Sequence, residues 1–128
     1  MKEPQKNRKR AREQELTHRK GPRHELRQYQ AMQRAIEAGD GERLLRIIAE
    51  GGDVNARGSV TKASLLHLAA ANSAHKCLAV LARTRQCDYL VRDNNGYLPS
   101  EISIIHSNDI RAGTFLARME ARQRGRTK

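Results

Sequence analysis

The chain has 128 residues, a formal net charge of +11 and a hydrophobic content of 38%. That length allows one small domain, and a hydrophobic share below the roughly 45–50% of an average globular domain leaves part of the chain outside any packed core. No apolar run approaches the ~20 residues of a membrane span, the basic N-terminus lacks the apolar stretch of a secretory signal, and Cys77 and Cys87 are expected as reduced thiols in the cytoplasm.

The positive charge is uneven. Residues 1–30 carry ten Lys/Arg against four Glu, and residues 118–128 carry five against one, which leaves ten against nine for the middle. Residues 1–21 contain Leu16 and almost nothing else that could be buried, so ordering them is not offset and a disordered basic tail is expected. The cluster holding Arg8, Lys9, Arg10 and Arg12 admits three readings: a solvated solubilising tail, a contact to nucleic acid or an acidic surface, and a nuclear-import-like signal.

Pro22 suits the first position of a helix. Leu26, Tyr29, Met32 and Ile36 follow at helical spacing on one face, and Gly39 is read as its left-handed C-terminal cap. A second helix runs from Glu42 to Glu50 with Leu44, Leu45, Ile47 and Ile48 as its packed stripe. An extended loop covers 56–63, and paired helices follow at 64–72 and about 75–84, the latter with Cys77, Leu78 and Leu81 inward. The loop at Arg85 lacks the glycine that would close this helix. Asn94-Asn95-Gly96 is a turn signal. The last helices are placed near 99–106 and 109–119, with Ile102, Ile105, Phe115, Leu116 and Met119 as core, and 120–128 is read as a second basic, unpacked tail. Gly113 costs the final helix about 1 kcal/mol relative to Ala.

The stretch Ser64-Leu65-Leu66-His67-Leu68-Ala69-Ala70 follows the T-P-L-H-x-A opening of an ankyrin helix, with Ser64 at the Thr position and Leu65 in place of Pro. Ala35-Ile36-Glu37-Ala38-Gly39-Asp40 with Asp53-Val54-Asn55-Ala56 stands upstream, and Gly96-Tyr97-Leu98-Pro99 downstream. Ala35 to Ala69 and His67 to Glu101 are 34 positions apart, and Asp53 to Asp88 is 35, close to the family period of about 33 residues. The chain thus resembles the ankyrin-repeat family, the first repeat best preserved and the third least.

The resemblance implies an all-α solenoid of about three helix-turn-helix repeats with short fingers, spanning 22–117 (about 22–57, 58–92 and 93–117) between tails at 1–21 and 118–128. It implies structural roles for Gly39, Gly96, Pro99 and His67, the last bridging neighbouring repeats. It makes the first helix a cap with a wet outer face of Arg23, Arg27 and Arg34, since array ends need polar surfaces. The first finger is one residue longer than the family norm.

Catalytic groups do not assemble in this pattern. His67 interrupts an apolar run and is read as structural. His75, Cys77 and Cys87 fall short of four zinc ligands, the Gly39 and Gly51 stretches lack a phosphate-loop context, and no nucleophile elbow occurs. A non-enzymatic protein without cofactor or metal is expected. The resemblance implies a protein partner on the concave strip of fingers and first helices, at Glu37, Ala38, Lys62, Ala63, Ala71, Asn72, Asn94, Asn95, Tyr97 and His106. Tyr97 either points into that groove or packs over the neighbouring finger. The rival function is weak, non-specific nucleic-acid binding through the tails, by Arg8, Lys9, Arg10 and Arg12 with Arg122, Arg124 and Arg126. The expected setting is cytoplasmic, or nuclear in a eukaryotic or host-directed context, as for small ankyrin proteins of intracellular bacteria.

Overall fold

The computed structural model describes residues 22–126, so the basic cluster from Arg8 to Arg12 lies outside the described residues. Helices α1 (Pro22–Glu37), α2 (Gly41–Ala49), α3 (Leu65–Ala71), α4 (His75–Arg83), α5 (Pro99–Ile105) and α6 (Ile110–Arg126) form three hairpins. The described chain is all-helical: its only β feature is one isolated antiparallel bridge between Arg57 and Ser64. No described helix is long and apolar enough to cross a membrane.

Local chemistry starts each helix where the sequence offers an acceptor. Asp40 Oδ1 accepts the Arg43 amide of α2 at 3.0 Å, and Asp109 Oδ1 accepts the Ala112 amide of α6 at 3.1 Å. Such caps satisfy amides that the first turn leaves open. At α5, Pro99 occupies the first turn and the Leu98 amide donates to Glu101 Oε1 at 2.7 Å.

The turns repeat as faithfully as the helices. Seven described residues have left-handed φ. Gly39, Ser73 and Asn108 follow the first helices, Gly51 and Arg85 follow the second, and Lys62 and Gly96 close the two loops that join hairpins. Neighbours within each set are 34 or 35 residues apart. Arg85 therefore takes the conformation for which the sequence lacks a glycine. The backbone bonds recur too: Asp40 N donates to Ala35 O, Ala74 N to Ala69 O, and Asp109 N to Ser103 O.

The hairpins stack in sequence order. α1, α3 and α5 pack in one row, α2 packs on α4, and α6 packs on α5. Met32, Ile36, Leu44, Leu65, Leu66, Leu81 and Leu116 fill a continuous core with essentially no exposure. Amide side chains clamp successive layers. Asn55 Nδ2 donates to Gln86 O while its Oδ1 accepts the Asp88 amide, both at 2.8 Å. One layer on, Gln123 Oε1 accepts the Tyr89 amide and its Nε2 donates to Asp88 Oδ1, both at 2.7 Å.

Several expected core positions are corrected. Leu26, Leu45 and Ile105 share a helical stripe with buried residues but are each about half exposed, because no layer covers that part of the stripe. Val54 and Tyr89, in loops, are buried instead. The last helix continues past residue 119 to Arg126, and Glu120 is buried there. Gln123 anchors that extra length through its clamp.

Candidate partner-binding surface

The fingers take shape from backbone bonds. In the first, Gly58 N donates to Ala63 O at 2.9 Å and Lys62 N to Gly58 O at 3.0 Å, with Arg57 Nε donating to Lys62 O. In the second, Asp93 N donates to Tyr97 O, and Asp93 Oδ1 accepts the Asn95 and Tyr97 amides. Asn94 N donates to Thr61 O at 2.8 Å and Arg57 Nη2 donates to Arg92 O, joining the two fingers edge to edge. These bonds tie the two fingers into one strip.

His67 fastens the second finger to the helices. The Ser64 amide donates to His67 Nδ1 at 3.1 Å, so Nδ1 accepts and the ring proton sits on Nε2, which donates to Tyr97 O at 2.7 Å. The ring is buried, and burial lowers its pKa below the ordinary 6.5 against opposing contributions from Tyr97 O and Asp93. His67 is held neutral between two layers.

The ten residues assigned to partner contact fall into two rows. Lys62, Ala63, Asn94, Asn95 and Tyr97 lie on the fingers. Glu37, Ala38, Ala71, Asn72 and His106 lie at the C-terminal ends of α1, α3 and α5 or just past them. The rows are about 10 Å apart along the first helices. Most of these residues are exposed, and Ala63 and Tyr97 are half-buried. Ala63 offers its carbonyl to the Tyr29 hydroxyl at 2.9 Å. The half-buried Tyr97 ring packs partly against the core.

Between α1 and the first finger lies an open groove of about 910 Å³, lined by Leu26, Tyr29, Gln33, Val60 and Leu68 among others. Leu26 is 50% and Val60 80% exposed. These residues were not assigned to partner contact. Leu26 and Tyr29 carry a core-like periodicity, and Val60 sits in a loop without pattern; an aliphatic side chain inside a polar finger is the one available signal.

The remaining titratable groups are dispersed. His75 Nε2 pairs with Asp109 Oδ2 at 2.6 Å, tying α4 to the start of α6. Cys77 is buried, with Sγ 4.0 Å from Ala35 O. Burial pushes the Cys87 thiol up to about 11, far from a reactive thiolate. Among the described residues no three His, Cys, Asp or Glu side chains converge as metal ligands. Arg122, Arg124 and Arg126 are exposed on α6, while Arg8, Lys9, Arg10 and Arg12 lie outside the described residues. No protein-family model matches the chain. No curated protein matches it in sequence.

Proposed function

We propose that the chain is a short ankyrin-type repeat array that binds a protein partner along its fingers and first helices and catalyses no reaction. The observation that carries this reading is the recurrence of all seven left-handed residues at spacings of 34 or 35. A backbone that repeats in this way builds an extended strip rather than an enclosed reaction cleft. The exposed Leu26 and Val60 beside Tyr29 add the aromatic and aliphatic surface that interface centres favour. The proposed setting is the cytoplasm, where the unpaired Cys77 and Cys87 stay reduced.

A photo-reactive amino acid tests the surface directly. Placed at Val60 or Asn72 it is expected to capture one partner from a lysate of the source cells, whereas placed at Leu45 on α2 it is not. Equal capture at Leu45, or none at the first two sites, overturns the reading. The exposed arginines of α6 support the alternative, non-specific nucleic-acid binding. That alternative is marked by retention on single-stranded DNA that salt removes and that Val60→Glu leaves unchanged.

A further inference from the structure

The second helices carry a charge pattern that the fingers do not. On α4, Lys76, Ala79 and Arg83 follow at i, i+3 and i+7. On α6, Arg111, Phe115 and Arg118 follow at i, i+4 and i+7, so each set lies along one face of its helix. Lys76 to Arg111 and Arg83 to Arg118 are both 35 positions apart, which makes each pair equivalent in neighbouring layers. The two cations of each helix stand two turns apart, about 10 Å. All four are exposed, and among the described residues none of them is ion-paired.

Carboxylates do not enter this frame. α4 contains none, and the single one of α6, Glu120, is buried. Asp109, at the start of α6, is already engaged: its Oδ2 pairs with His75 and its Oδ1 accepts the Ala112 amide. Glu42 and Glu50 belong to α2 and its cap, on the far side of α4 from α6. By contrast, Glu25, Glu37, Asp53 and Glu101 are exposed on the first helices and the loops.

The four cations frame an apolar furrow. α2 packs closely on α4, whereas α4 and α6 meet less closely. The His75–Asp109 pair joins them at one end, and Gln123 reaches Asp88 and Tyr89 at the other. The furrow between them measures about 200 Å³ and is lined by His75, Leu78, Ala79, Arg111, Ala112 and Phe115. Leu78 and Ala112 are buried, and Phe115 is half-buried. This volume falls below the roughly 300–1,000 Å³ of a small-molecule site. It suits one large apolar side chain and is too small for a cofactor or an acyl chain.

Shape and charge together select the occupant. A lodged base stacks on an open aromatic face, which the half-buried Phe115 does not offer. A second copy would bring a chain of net charge +11 against the frame, and residues 1–21 carry eight Lys/Arg against three Glu, so both are repelled. We propose that the furrow between α4 and α6 is a docking site for an acidic segment of a partner protein. That segment seats one large aliphatic side chain between Ala79 and Phe115 and sets carboxylates against Lys76, Arg83, Arg111 and Arg118. The surface lies on the second helices, apart from the finger strip, and acts whether or not the fingers bind.

The test titrates the isotope-labelled full chain with a short synthetic peptide that carries one leucine among glutamates. Saturable amide shifts centred on Ala79, Ala112 and Phe115 are expected. Exchanging the leucine for alanine should weaken binding at least about tenfold, as loss of a seated anchor does. Exchanging the glutamates for lysines should abolish it. Ala79→Phe fills the furrow from an exposed position, and Arg83→Glu with Arg118→Glu halves the frame and opposes what is left. Each should weaken binding at least about tenfold with the remaining amide spectrum unchanged, whereas Val60→Glu in the finger groove should leave binding as it is. The proposal is overturned by no shift at the furrow up to about 1 mM peptide, or by equal binding of the alanine peptide, which would leave only solvated cations. It is overturned equally by shifts confined to the finger groove, or by tighter binding of single-stranded DNA or phosphatidylserine vesicles at the same residues and salt. A dimer in sedimentation that Ala79→Phe returns to monomer would make a second copy the occupant and overturn it too.

Discussion

His67 shows how one side chain can hold two layers together. Its Nδ1 accepts the Ser64 amide that opens α3, and its Nε2–H reaches the Tyr97 carbonyl of the next finger. Protonation would place a second N–H against the Ser64 N–H, so the fold favours the neutral ring. With the folded pKa below 6.5, the unfolded chain takes up the proton first. Stability from this site is full above pH 6.5 and declines as pH falls from 6.5 towards the lower folded value. Urea midpoints measured between pH 7.5 and 5 (on the order of the imidazole range) should fall more steeply for the native chain than for His67→Gln, which keeps a donor and an acceptor but cannot titrate. Equal slopes would refute this account. His67→Ala leaves the Ser64 amide and the Tyr97 carbonyl unpaired, at an expected cost of about 2–3 kcal/mol.

At the scale of the element, the left-handed turn positions make opposite predictions for glycine and non-glycine residues. A Cβ at Gly39, where φ is +68°, meets nothing within 4 Å, so Gly39→Ala should cost about 1 kcal/mol from backbone conformation alone. Arg85 holds the position equivalent to Gly51 at φ +58°, and Arg85→Gly should gain about 0.5 kcal/mol once the entropy of glycine in the unfolded chain is set against the relieved strain. Urea denaturation reads both signs. Gly113 differs: a Cβ there would come within 2.7 Å of Ile104 Cδ1, the mobile end of a half-exposed side chain. The helix-propensity gain of about 1 kcal/mol is offset by a rotamer shift of similar size. Gly113→Ala is therefore expected to leave the urea midpoint nearly unchanged.

Across the whole molecule, stability depends on clamps between layers as much as on buried area. Gln123 is bonded to both Asp88 and Tyr89, although it lies in a segment that composition marks as a basic tail. A chain ending at Met119 loses this clamp and uncovers Tyr89. At about 2 kcal/mol, that truncation should lower the thermal midpoint by roughly 10 °C for a domain of this size. A chain ending at Arg126 should melt with the full-length protein. Coincident melting of all three would show that α6 beyond Met119 contributes nothing to the stack.

Helix positions and the glycine turns were legible in the sequence because they are local, whereas the left-handed turns at Lys62, Ser73, Arg85 and Asn108 carried no such mark. Asp40, Ser64 and Pro99 act within one helical turn, and Gly39 and Gly96 need only their own φ. The 34-residue register was legible for the same reason, since each layer repeats the same local instructions. Tertiary structure alone decided which aliphatic residues are covered. Leu26, Leu45 and Ile105 carry the same periodicity as Met32, Leu44 and Ile102, yet each is about half exposed. The open groove beside Tyr29, the burial of Tyr89 and the extension of α6 through Gln123 follow from how layers meet. Periodicity marks a helical stripe, but the width of the partner surface sets how much of it is buried.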